Sequence, residues 1–143
     1  MTTPSDEVQR GSVISYRYLW YREDRRGETE GRKERPVCVI LSIRRRDGEI
    51  VMALLPITTQ PPASGTKAVE VPETERHRAG LDRGRRSWVV VDEFNYDVLT
   101  RSFVIGPDVE PQGRFSTAFL ARLAREAYTY LSRPSARVDR TRE

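Results

Sequence analysis

Two short segments of this chain carry groups suited to phosphate esters, and the residues between them can bring the two together. Glu34-Arg35-Pro36 opens an apolar run, Val37 to Ile43, and Pro56-Ile57-Thr58-Thr59-Gln60 closes another, Ile50 to Ile57. Arg46-Asp47-Gly48 lies between the runs, and an Asp-Gly pair is a strong hairpin signal. An antiparallel hairpin returns the chain to its start, so Arg35 and Thr58 are expected as neighbours at one sheet edge. A guanidinium clamps phosphate oxygens and stabilises the extra charge of a phosphorane. RNA carries its own nucleophile, the 2′-OH, so a cleaving site needs only to align that group and stabilise developing charge. The same residues also fit a blander pattern: an exposed arginine ahead of a strand proline, and β-branched threonines ending a strand.

The rest of the chemical inventory is narrow. His77 is the single histidine and lies in the polar stretch Glu75-Arg76-His77-Arg78, so one chain cannot build a two-histidine ribonuclease. One His and one Cys do not make a zinc site, and no Ser-His-Asp triad can be assembled. No glycine-rich phosphate loop is present. Asp92 and Glu93 are adjacent on a strand and point to opposite faces, a poor arrangement for Mg²⁺. No cofactor and no metal are expected. Cys38, within Val37-Cys38-Val39-Ile40, reads as a small buried apolar residue. A single cysteine excludes an internal disulfide and fits a reduced, cytoplasmic setting.

These groups must be positioned by 143 residues, of which 37% are hydrophobic and 32% charged, with a net charge of +4. That length fits one domain with its own core, and the basic balance favours an anionic partner such as nucleic acid. No apolar run approaches a transmembrane length, and Met1 to Arg10 lacks the apolar segment of a signal peptide. Residues 1–10 read as a flexible leader. Ser12 to Tyr21 alternates like a strand, with Ile14, Tyr16, Tyr18 and Trp20 on one face. Arg22 to Glu34 holds glycines and charges but no apolar residue, and reads as a mobile loop.

After the central hairpin, Lys67 to Val71 reads as a short strand and Pro72 to Ala79 as one or two helical turns stopped by Gly80. Ser87 to Val91 is a strongly apolar strand that ends at Asp92-Glu93-Phe94-Asn95. Arg101 to Ile105 is a last short strand. Ser116 to Leu131 is the one long helix, capped by Ser116, with Leu120, Leu123, Ala124, Ala127 and Leu131 in one stripe. Residues 134–143 are charged and read as a disordered tail. The expected architecture is mainly β with one long C-terminal helix: a small, strongly curved antiparallel barrel over residues 11–133.

From Gly11 to about Asn95 the chain resembles the MazF/PemK toxins of bacterial toxin–antitoxin systems. The resemblance is carried in order by Gly11-Ser12-Val13-Ile14, the polar loop and Glu34-Arg35-Pro36-Val37-Cys38-Val39-Ile40-Leu41. Leu55-Pro56-Ile57-Thr58-Thr59-Gln60, Gly80-Leu81 and Ser87-Trp88-Val89-Val90 follow. It implies an SH3-like barrel, a homodimer, and metal-independent cleavage of single-stranded RNA to a 2′,3′-cyclic phosphate and a 5′-hydroxyl. The catalytic positions it implies are Arg35 and Thr58. RNA would meet Arg32 and Lys33 of the loop, Thr59 and Gln60 beside Thr58, and Trp20 as a stacking surface. A cognate antitoxin with an acidic tail would occupy the same groove. One stretch departs: many members have Gln and then a basic and hydroxyl pair after the late-strand Asp, where this chain reads Asp92-Glu93-Phe94-Asn95. A related fold poisons DNA gyrase, so a non-catalytic protein-binding module is the alternative.

Overall fold

The hairpin signalled by the Asp-Gly pair is the centre of the sheet. In the computed structural model, which describes residues 9–102, 104–105 and 109–141, β2 (Arg35–Arg44) pairs antiparallel with β3 (Ile50–Thr58). Gly48 takes a φ of +86°, and Asp47 Oδ1 accepts from the Glu49 N–H at 2.9 Å, which closes the turn. The register shifts between Val39 and Leu41, leaving one extra residue on β2, and a bulge of this kind bends and twists a sheet.

The neighbours complete the curl. β1 (Ser12–Tyr16) pairs with the first half of β2, and β7 (Gly113–Arg114) edges β1. On its other side β3 divides. Residues 51–54 pair with β6 (Phe94–Val98), while Ile57 and Thr58 pair with β5 (Trp88–Val90), which carries β4 (Ala68–Glu70) on its outer edge. Residues 91–93 are the corner between β5 and β6. The described residues form a mainly β, curled antiparallel half-barrel with three helices.

Each sheet face buries its own apolar cluster. On one face Val13, Cys38, Leu55 and Ile57 join Phe119, Leu120, Leu123 and Ala127 of α3 (Thr117–Leu131). Ser116 caps α3 by accepting from the Phe119 N–H at 3.2 Å. Its own N–H and hydroxyl donate to the buried Glu75 carboxylate at 2.9 and 2.6 Å. The start of α3 is thereby tied to α2 (Glu73–Arg78). On the other face lie Ile14, Tyr16, Tyr18, Val37, Val39, Met52 and Leu54. Cys38 is fully buried, and burial pushes its thiol up to about 12. Among the described residues no helix is long and apolar enough to cross a membrane.

Several sequence expectations need correction. The alternation that starts at Ser12 stays on one face through Tyr18, but β1 ends at Tyr16, and Tyr21–Arg25 is a helical turn, α1. The stretch 22–34 is therefore not a loop throughout. Phe94 and Asn95, read within Asp92-Glu93-Phe94-Asn95 as the end of the preceding strand, instead open β6 (Phe94–Val98). In place of a strand at 101–105, Leu99–Arg101 forms a 3-10 turn, and Phe103 lies outside the described residues. Most of the expected leader, residues 1–8, also lies outside them.

The largest difference is at the C-terminus. Pro134–Ala136 is a 3-10 turn and β8 (Arg137–Asp139) pairs with β6 in parallel, the one parallel pairing among the described residues. Of the segment read as a disordered tail, residues 142–143 lie outside the described residues. The charge of this segment hid an inward row: Ala136, Val138 and Arg140 are buried, while Arg137 between them is exposed. Truncation after Arg133 is expected to lower the unfolding free energy by at least about 2 kcal/mol, the worth of one fully buried valine. Urea denaturation measures it, and an unchanged midpoint would restore the disordered-tail reading.

Candidate active site

The strand registers assemble one row of side chains. Continuing the β2–β3 register two places beyond Val37 and Pro56 sets Arg35 opposite Thr58. Tyr16 pairs with Arg35 on the β1 side, Trp88 pairs with Thr58 on the β5 side, and Glu70 pairs with Trp88. Directly opposed residues share a sheet face. Tyr16, Arg35, Thr58, Trp88 and Glu70 therefore form a row across strands β1, β2, β3, β5 and β4.

Arg35 is the unusual member. It is half-buried, and its Nε is buried with no hydrogen-bond acceptor among the described residues. Its guanidinium stacks on Trp20, 5.1 Å from the ring centre. Burial lowers its pKa from the usual value, Glu23 opposes that shift, and Arg22 adds to it. Arginine stays charged at neutral pH regardless. A buried, charged donor without an acceptor costs free energy until an acceptor reaches it.

Thr58 is set by its own turn. Its Oγ1 accepts from the Gln60 N–H at 3.0 Å, which engages a lone pair and leaves the hydroxyl proton to donate outward. Thr59 and Gln60 follow it and are exposed. Thr59 Oγ1 accepts from Arg85 at 3.3 Å.

Trp20 is held by polar side chains of β6 and of the corner before it. Glu93 accepts from the Tyr18 hydroxyl at 3.0 Å and the Tyr21 N–H at 2.8 Å. Asn95 brackets Leu19: Oδ1 accepts from its N–H at 2.9 Å, and Nδ2 donates to its carbonyl at 2.7 Å. Asp97 accepts from the Tyr16 hydroxyl at 2.8 Å. The Trp20 N–H donates to Glu23 at 3.1 Å. The half-buried indole meets Tyr18 edge-on and also carries Arg22, 5.0 Å from its centre. As a base-stacking surface it is already shared by two guanidinium groups. The Asp92-Glu93-Phe94-Asn95 departure is thus part of the scaffold, with Asp92 accepting from the Lys67 N–H at 3.0 Å.

The loop residues are less convergent. Arg32 pairs with Glu23 at 3.0 Å and Glu28 at 2.9 Å, and Lys33 is exposed. Gly31 lies so close to β1's exit that a Cβ there would meet the Arg17 carbonyl oxygen at 2.5 Å. The structure therefore gathers Arg35, Thr58, Thr59, Gln60 and Trp20 around one end of the β2–β3 pair. It commits Arg32 to carboxylates of α1 and of the loop that follows it.

Sequence reasoning missed Trp88, Arg86 and Glu70. The apolar strand at Ser87 was visible, but not its pairing with Thr58. No known family profile matches this chain, and no curated protein matches it either.

Burial raises the Glu93 pKa, while its bonds to Tyr21 and Tyr18 pull it back and Asp92 raises it further. A carboxyl raised on folding binds more protons in the native state, so its contribution to stability is full at low pH. That contribution is lost as pH climbs from the ordinary glutamate value of about 4.3 through the raised one. Glu93→Gln removes the ionisation and keeps the shape. Its stability relative to wild type is expected to rise with pH over that window, read by urea denaturation at several pH values. A pH-independent difference would refute the linkage.

Proposed function

We propose that this chain is a metal-independent endoribonuclease of the MazF/PemK kind, built on an SH3-like barrel. One observation supports the reading: the half-buried Arg35 guanidinium has an unsatisfied Nε, at the end of the hairpin where Arg35 and Thr58 each lie two residues past the Val37–Pro56 pair. An anionic phosphate supplies the acceptor that Arg35 lacks. In the proposed step the RNA 2′-oxygen bonds to the adjacent phosphorus, and the bond from phosphorus to the 5′-oxygen breaks. The 2′-OH proton passes to water, and the 5′-oxygen takes a proton from water. The products are a 2′,3′-cyclic phosphate and a 5′-hydroxyl. Arg35 stabilises the charge that builds on the phosphorane oxygens, and Thr58 donates a hydrogen bond that fixes the phosphate for in-line attack. Thr59, Gln60 and Lys33 would hold the flanking strand. The same reading makes the protein a cytoplasmic homodimer neutralised by an antitoxin with an acidic tail.

The test is incubation with a long single-stranded RNA in EDTA. Wild-type protein should cut it and leave cyclic phosphate ends. Arg35→Ala should slow cutting by roughly 10²-fold or more, the scale of losing one transition-state charge stabiliser. Thr58→Ala should also slow it, with an unchanged thermal midpoint. Cutting that needs added Mg²⁺ would overturn the mechanism. Absence of cutting under all conditions would leave the non-catalytic protein-binding module.

A further inference from the structure

The row that carries Arg35 and Thr58 continues to Trp88 and Glu70, which have no part in the cleavage step. Arg86 lies above this end. Its guanidinium sits 5.0 Å from the Trp88 ring centre. Its Nε and one terminal nitrogen donate to the two Glu70 oxygens at 2.8 Å each. The side chain is 69% exposed, and the partner carboxylate is 43% exposed. Next to it Arg85 is exposed and donates to Thr59, the residue after Thr58.

We propose that Arg86, seated on Trp88 beside Thr58, is a second phosphate subsite that takes a neighbouring backbone phosphate of single-stranded RNA, with Glu70 filling it when RNA is absent. The inference rests on the reading of Arg35 and Thr58 as the place of the scissile phosphate.

Three physical points support it. The first is position: Trp88 is Thr58's direct strand partner, so a strand laid along the row from Arg35 passes Arg86 next. The second is shape. The guanidinium edge that meets the Glu70 carboxylate is the planar fork that also meets phosphate oxygens, and the indole beneath it fixes the plane of that fork. The third is exchangeability. An exposed ion pair is held weakly, so a phosphate of the incoming strand can replace the carboxylate. Glu70 then does two opposed things: it keeps Arg86 ordered, and it competes with RNA for it. Because of that competition, removing a charge from the empty site should tighten binding.

The probe is a short single strand fully 2′-O-methylated, which the proposed reaction cannot cleave, titrated in EDTA at several salt concentrations. Arg86→Ala is expected to weaken binding about 10-fold at low salt. It should also reduce the slope of log K against log salt by about 0.7, one phosphate contact on a single strand. Glu70→Gln is expected to tighten binding severalfold. In the Arg86→Ala background Glu70→Gln should lose that gain, because the effect acts through Arg86 and not through net charge. Equal gains from Glu70→Gln in both backgrounds would overturn the proposal, as would an unaffected Arg86→Ala. Cutting of ordinary RNA by the wild type is scored separately. Cutting with no Arg86 dependence of binding removes the subsite and leaves the cleavage reading. Arg86-dependent binding without cutting leaves the subsite and removes the cleavage reading. Absence of binding by the wild type overturns the subsite.

Discussion

The Asn95 side chain is fully buried, and three parts of the chain meet on it. Its Oδ1 accepts from the Leu19 N–H and from Arg140 at 3.0 Å, while Nδ2 donates to the Leu19 carbonyl. β1's exit, β6 and the C-terminal segment are thereby joined at one amide. Arg140 donates a second bond to the Arg17 carbonyl at 2.7 Å and lies over the Tyr16 ring. A buried amide must have its hydrogen bonds met, since each unmet one costs about 1–3 kcal/mol. The geometry of the 17–19 segment is therefore set by the amide as much as by apolar packing.

The consequences run outward to the row. With Leu19 fixed, Trp20 enters α1 in one orientation, edge-on to Tyr18 and flat beneath Arg35. The indole shields Arg35 from water on one side, and burial explains both its lowered pKa and its unmatched Nε. Glu93 and Asp97 extend the same scaffold, each accepting the hydroxyl of a buried tyrosine. Asp97 holds the hydroxyl of Tyr16, a member of the row, while Glu93 and Asn95 act on the candidate site without touching it. They position the aromatic residue that positions the arginine.

This explains which parts were legible in the sequence. The hairpin, its turn and the capped helix α3 are local, and local rules found them: Asp47-Gly48 for the turn, and Ser116 with a 3.6-residue stripe for the helix. Arg35 and Thr58 were predicted as neighbours because a hairpin fixes its own register. What failed was long-range. β6 looked like a terminus because Asp92-Glu93-Phe94-Asn95 is polar, yet Glu93 and Asn95 are spent on the segment between β1 and α1 and on the first residue of α1, 72 to 76 residues away in sequence. β8 looked disordered because its charges alternate with only a few inward residues, too few for a periodic signal. Its parallel pairing with β6 has no local signature at all. Trp88 was seen as part of a strand, but only the β3–β5 pairing shows that it flanks Thr58.

Arg35 in the row and Arg86 above it share one construction with opposite settings. Arg35 and Arg86 each rest on an indole, Trp20 and Trp88. Arg35 is half-buried and leaves its Nε unmatched, whereas Arg86 is exposed and donates from two nitrogens to Glu70. Desolvation makes an electrostatic contact stronger and exposure makes it more exchangeable. On the proposed reading this division is functional. The buried arginine would gain most from a phosphate whose charge grows during reaction, and the exposed one would serve to catch and release the strand. The chain's net charge of +4 is modest for a nucleic-acid binder, and Arg32 before β2 is bound to carboxylates of α1 and of the loop that follows it. Affinity would then come less from a diffuse basic field than from these two placed forks, and their spacing along the row would select the ligand.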